Sequence, residues 1–171
     1  PHTPPKVDAV EKLAFKKAFQ LFNKPSFKIL VIASLAISIV HQIYFIQAGP
    51  FLSHIGLKDS QIGPAMTIGQ IAEIITMIFL GYFLKNLRFR KVITIGTVAY
   101  FARYAVFGTE SLPVWLIVVS QALHGICFAF FFAAAFMYVD RITDKDIRHS
   151  AQTVFGIIIL GGGPVIGGWL S

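Results

Sequence analysis

Residues 28–50 read KILVIASLAISIVHQIYFIQAGP, with Lys28 at the entrance and no further Asp, Glu, Lys or Arg before Lys58. A helix needs about 20 mostly apolar residues to cross a bilayer, and this stretch is long enough. Working outward, four more segments meet the same test: residues 62–84, 91–108, 113–139 and 150–170. The connections between them are FLSHIGLKDSQ, KNLRFRK, GTESLP and DRITDKDIRHSAQ, all short and rich in turn formers or charges. Such short links make each helix run antiparallel to the one before. The expected fold class is all-α: a multi-pass helical membrane protein with five transmembrane helices over residues 28–171, preceded by a basic linker at 1–27.

Composition agrees. Of 171 residues, 56% are hydrophobic and 13% charged, with 17 Phe and a mean hydropathy of +0.71. Soluble domains carry about 25% charged residues. The net charge of +7 is a matter of topology. Lys6, Lys12, Lys16, Lys17, Lys24 and Lys28 precede the first span; Lys85, Arg88, Arg90 and Lys91 join the second to the third; Arg141, Lys145 and Arg148 join the fourth to the fifth. All fall on one side of the alternating spans, which by the positive-inside rule is the cytoplasmic side. The N-terminus is therefore expected in the cytoplasm, in a cell membrane of the bacterial inner-membrane kind. With the charges so placed, the lipid bilayer is the expected partner and nucleic acid is not. Residues 7–22 place apolar groups at helical spacing between lysines, as an amphipathic helix lying on the membrane face would. The start PHTPPK, with no initiator Met or signal peptide, and the abrupt end at GGWLS read as those of a piece of a longer chain.

Ionisable groups inside spans point to function. In GQIAEIITM (69–77), Gln70 and Glu73 lie three apart and share a helix face. Glu73 sits about 16 Å from the outer end of its span at 1.5 Å per residue. Desolvation and a nearby cation act on its proton affinity in opposite senses, so a carboxylate held between them can load and release a proton. Arg103, about 8 Å deep in YFARYAVFG, is a possible charge partner, with snorkelling to the outer headgroups as the alternative. In the first span His41 and Gln42 are candidate solute ligands, and His41, Tyr44 and Ala48 share a face. In the fourth span Gln121, His124 and Phe128 follow at helical steps, a polar entrance leading to aromatic rings that can stack on a flat solute. The lone Cys127 supports neither a disulfide nor a metal pattern. GGG at 161–163 lacks the strand and the Lys-Ser/Thr of a phosphate loop, and no GxSxG or HExxH is present. Neither an enzyme nor any metal or other cofactor is expected. The glycines of GIIILGGGPVIGG suit close helix packing, and Pro164 is expected to kink or break the last span.

The layout resembles the C-terminal half of a major facilitator superfamily transporter, a six-helix half of which five helices are here. GYFLKNLRFRK stands in place of that superfamily's loop motif G-x-x-x-D-R-x-G-R-R: Gly81 and the basic cluster fit, Lys85 replaces the Asp, and the second Gly is absent. Three stretches are similar to the nucleoside:proton symporters of the superfamily. They are GQIAEIITMIFLGYFLKNLRFRKVITIGTVAYFARYAVFG, HGICFAFFFAAAFMYVD against Y-G-x-x-F-D-F-F-N, and IRHSAQTVFGIIILGGGPVIGG. The resemblance implies that Gln70 and Glu73 contact a nucleoside, that Glu73 takes part in proton coupling, and that Arg103, Arg148 and Gln152 have structural or gating roles. Ala129 and Phe132 stand where the pattern has Asp and Asn, so a carrier for a different solute fits as well. The partners implied are a small-molecule solute, protons and an N-terminal helical half. A receptor or assembly subunit that does not transport, with Glu73 and Arg103 as a static pair, is the alternative from another class.

Overall fold

The computed structural model describes residues 16–109 and 111–171. Most of the amphipathic helix expected at 7–22 lies outside the described residues; its end is a helical turn closing in a 3-10 segment at Gln20–Asn23. Four helices are long and apolar enough to cross a membrane: α1 (Pro25–His54), α2 (Asp59–Phe107), α3 (Val114–Ile142) and α4 (Arg148–Leu170). The chain is thus an all-α, multi-pass membrane protein. Large apolar side chains on its surface agree: Ile74, Ile78, Phe101, Val165 and Trp169 are all exposed, more than a water-soluble monomer tolerates.

KNLRFRK does not form the connecting loop expected of it. Helical structure runs through it, broken only at Arg88, whose φ of 63° and ψ of 157° lie outside the helical region. That one residue reverses the chain. In a straight helix Ile62 and Phe107 would stand about 70 Å apart at 1.5 Å per residue. Instead Ile62, Ala65 and Met66 share an apolar cluster with Val106 and Phe107. Near the break, Leu80, Phe83 and Leu84 share another with Val92 and Ile93. Residues 59–87 and 89–107 are therefore two antiparallel arms of about 43 and 28 Å. Counted from Gly81, the glycine missing from the loop motif falls at Arg88, where positive φ favours glycine.

The chain divides into two compact units. The first holds residues up to Ile43 together with Phe136–Ser171, and the second is Tyr44–Ala135. In the second, both arms of α2 pack on α3 at points where a side chain is missing. A Cβ on Gly96 would lie 2.6 Å from the Phe131 nitrogen, and one on Gly125 would lie 2.5 Å from the Glu73 nitrogen. Leu80, Val92, Ala129, Phe130 and Ala134 form the core at the Arg88 end, and Leu52, Ala65 and Ile117 form it at the other.

In the first unit Phe27 meets Phe155 with ring centroids 6.4 Å apart, and Phe155 meets Phe136 edge-on at 4.9 Å. Arg148 Nε lies 3.2 Å from the Asp140 carboxylate, which also accepts a 3.4 Å hydrogen bond from Gln152 Nε2. α4 continues through Pro164 without a break. The turn before it, Ile157–Gly162, is a π-helix, in which Gly163 N–H donates to Ile158, five residues back. Pro164 has no N–H to extend that pattern to Ile159. Ser38 Oγ supplies the missing donor, 2.5 Å from the Ile159 carbonyl oxygen.

Candidate functional site

α3 is irregular where its polar residues sit. At Gln121–Gly125 the backbone bonds tighten to three-residue spacing, and at Phe128–Ala133 they loosen into a π-helix. Departures of this kind within a helix recur at functional sites. The tight turn presents Gln121 and His124 to both arms of α2. Gly125 lets the backbone of α3 approach that of Ala72 and Glu73 closely enough to bring the imidazole to the carboxylate.

The result is one continuous polar chain. His124 Nε2 lies 3.4 Å from Glu73 Oε2. On the other side of the ring, His124 Nδ1 is 3.0 Å from Arg103 Nη1. Arg103 Nη2 donates to Gln121 Oε1 at 3.0 Å, and Tyr44 O–H donates to the same oxygen at 2.6 Å. The two donors fix the orientation of the Gln121 amide, because its NH2 could not receive either. Aromatic rings enclose the cation: the Arg103 guanidinium carbon is 3.7 Å from the Tyr44 ring centroid and 5.9 Å from that of Phe107. Such a contact contributes about 0.5–2 kcal/mol, more when desolvated. Tyr104 packs by Tyr44 and stacks on Tyr100.

Burial grades along the chain. Arg103 and Gln121 are 1% exposed and the His124 side chain 3%, while the Glu73 side chain is 23% exposed. Glu73 is thus the open end of the network. Gln70, one turn earlier, is exposed. Phe128 is half-buried, its ring 6.3 Å from that of His124.

Of the residues singled out in the sequence, the structure brings Glu73, Arg103, Gln121 and His124 together, with Phe128 alongside. Arg103 is buried and meets Glu73 only through His124, which stands between the two. His41 and Gln42 belong to the first unit, where the Gln42 stem lies beside Gly167. Ala129 and Phe132 are 0% and 3% exposed, packed as core. Among the described residues no group of three or more His, Cys, Asp and Glu could hold a metal. The sequence reading passed over Tyr100 and Tyr104. Their signal was legible: Tyr100, Arg103, Tyr104 and Phe107 follow at helical steps of three, one and three, an aromatic face built around a cation.

A half-buried carboxylate linked through an imidazole to a buried arginine suits a solute carrier, and comparison with known proteins identifies the family. The family model for the nucleoside H+ symporters matches residues 1–171. The chain belongs to that family. It is similar to the "Putative nucleoside transporter YegT" of Escherichia coli (strain K12), 28% identical over 98% of this chain and 40% of that protein. It is 27% identical to the xanthosine permease of the same strain, over 99% of this chain and 45% of the permease. With the strain's nucleoside permease NupG it shares 28% identity over 90% of this chain and 40% of NupG. The chain thus spans less than half the length of these relatives. No solved structure matches it.

Proposed function

We propose that the chain is the C-terminal half of a major-facilitator-type carrier that moves a nucleoside with protons by alternating access, and that it is not an enzyme. The chain Glu73–His124–Arg103–Gln121–Tyr44 carries this reading. A titratable group sits at its open end, and a buried cation within it balances the charge when the proton leaves. Gln70 and Glu73 offer hydrogen bonds to the solute from one helix face, and Phe128 offers a ring. With Ala129 and Phe132 packed as core, recognition falls on fewer polar groups than the family pattern supplies. A nucleoside lacking one hydroxyl or amino group therefore loses less here than at a site that pairs with every polar atom.

The five crossings are α1, the two arms of α2, α3 and α4, with an N-terminal helical half completing the carrier. The N-terminus lies in the cytoplasm of a bacterial inner membrane. Lys17 Nζ lies 3.5 Å from Asp146, and Lys24 Nζ donates to the Ile142 carbonyl at 3.4 Å. These contacts support placing the basic arm on the same side as the basic α3–α4 connection.

The test is uptake of radiolabelled uridine by the complete protein in proteoliposomes, with and without an inward proton gradient. Gradient-driven uptake that disappears in Glu73→Gln is the expected result. No uridine uptake by a folded preparation would remove the nucleoside assignment. Gradient-driven uptake that survives Glu73→Gln would remove Glu73 from the coupling step.

A further inference from the structure

His124 lies between an acid and a base, and its two ring nitrogens are not equivalent. Arg103 Nη1, 3.0 Å from Nδ1, is a donor that accepts nothing. For that contact to be a hydrogen bond, Nδ1 must carry a lone pair, and the ring proton must then sit on Nε2. That nitrogen faces Glu73 Oε2 at 3.4 Å, so the proton points at the carboxylate. An imidazolium, or the Nδ1–H tautomer, would set N–H against N–H at Arg103. Arg103 has no freedom to yield, because it is 1% exposed, bonded to Gln121 and seated on the Tyr44 ring.

We infer that His124 is a positioning residue: Arg103 pins it as a neutral Nε2–H imidazole, and it holds Glu73 as a fixed donor without itself taking the transported proton. Histidine is the side chain usually assigned such a shuttle near neutral pH, and here the geometry withholds that role. Glu73 alone changes protonation. Its carboxylate accepts from Nε2–H when ionised, and its carbonyl oxygen still accepts when it carries a proton, so the ring need not turn over during the cycle. The donor reports the position of Glu73 to Arg103, Gln121 and Tyr44 as one rigid piece. Against the ring lie Glu73 from the first arm of α2 and Arg103 from the second; the titratable groups around Arg103 are Tyr100 and Tyr104 from the same arm, Tyr44 from α1 and Cys127 from α3.

This inference rests on Glu73 as the proton-carrying group, but its test needs no transported solute. The complete protein in lipid is labelled with 15N-histidine, and the His124 signals are assigned by their loss in His124→Gln. Their tautomer is read by NMR from about pH 5 to about pH 8, the range over which a free imidazole titrates. A single Nε2–H form throughout is expected. An Nδ1–H form, or an imidazolium anywhere in the range, overturns the inference whether or not uridine is carried.

A second reading uses the 13C-carboxyl signal of Glu73, assigned by Glu73→Gln. His124→Phe removes the donor and is expected to displace the pH of half-protonation by about one unit or more, that is, about tenfold in proton affinity. His124→Gln keeps an N–H and is expected to displace it by less than half as much. An unmoved midpoint in His124→Phe refutes the positioning role. If that variant does not fold, the tautomer of the unmodified protein and the Gln variant still decide.

Discussion

Gly125→Ala is the sharpest perturbation of the site, because it adds one methyl group at the closest approach of two helices. The new carbon would fall inside the van der Waals envelope of the Ala72 carbonyl and 2.5 Å from the Glu73 nitrogen. An unstrained contact needs about 3.5 Å, so α3 and the first arm of α2 must part by about 1 Å. The Nε2–Oε2 separation is already long at 3.4 Å, and it would open to about 4.4 Å, beyond hydrogen-bond reach. Overpacking of this kind costs about 1–3 kcal/mol, and a 1 Å misplacement at a working site can cost about a hundredfold in rate.

The assay pairs thermal unfolding of the detergent-solubilised complete protein with initial rates of gradient-driven uridine uptake. Both are expected to fall. Gly81→Ala is the control: it lies on the α2 arm that Gly125 packs against, and an added Cβ there meets nothing within 4 Å. That variant should leave uptake alone and gain about 0.5–1 kcal/mol from helix propensity. If Gly125→Ala matches its parent in both stability and rate, the close approach described for α3 and α2 is wrong.

Three other outcomes are expected. Arg88→Gly relieves a non-glycine residue at φ 63° and should raise stability by about 1 kcal/mol, read as a higher unfolding midpoint; a lower one would mean that the Arg88 side chain holds the reversal together. Ser38→Ala leaves the Ile159 carbonyl beside Pro164 without its donor and should cost about 1–3 kcal/mol; no loss would show that the π-turn satisfies itself. Arg103→Met should lower stability and release the His124 ring, so that both tautomers appear in the 15N spectrum, whereas a ring still locked as Nε2–H would show that another group pins it.

The fold was legible in the sequence wherever hydrophobic length alone sets the answer. The apolar runs match the helices observed to within a few residues: most helix ends extend further, because lysines, histidines and turn formers there still hold helical backbone, while Gly108 and Pro113 fall just outside. The reversal at Arg88 was not legible as such: a basic heptapeptide looks like a loop, and only tertiary packing of both arms on α3 forces the turn into one residue. Pro164 misled for a similar reason, since the hydroxyl that substitutes for its missing N–H comes from Ser38, far away in sequence. Glu73, Gln121 and His124 were found because a polar group in an apolar run stands out. Their order was hidden. Periodicity places a residue on a face but cannot say that an imidazole will separate an acid from its counter-charge, which depends on the glycine that admits one helix to another.

The single-residue reversal also bears on how the chain is made. With no loop at Arg88, neither arm of α2 can settle in the bilayer while the other waits in water. They must enter together. A charged residue within a lone inserting helix is costly, up to about 2.5–3.5 kcal/mol at its centre, and each arm carries one in its apolar run, Glu73 or Arg103. Inserted as a pair, the two opposite charges enter the lipid at the same moment, with the apolar length of both arms to draw them in.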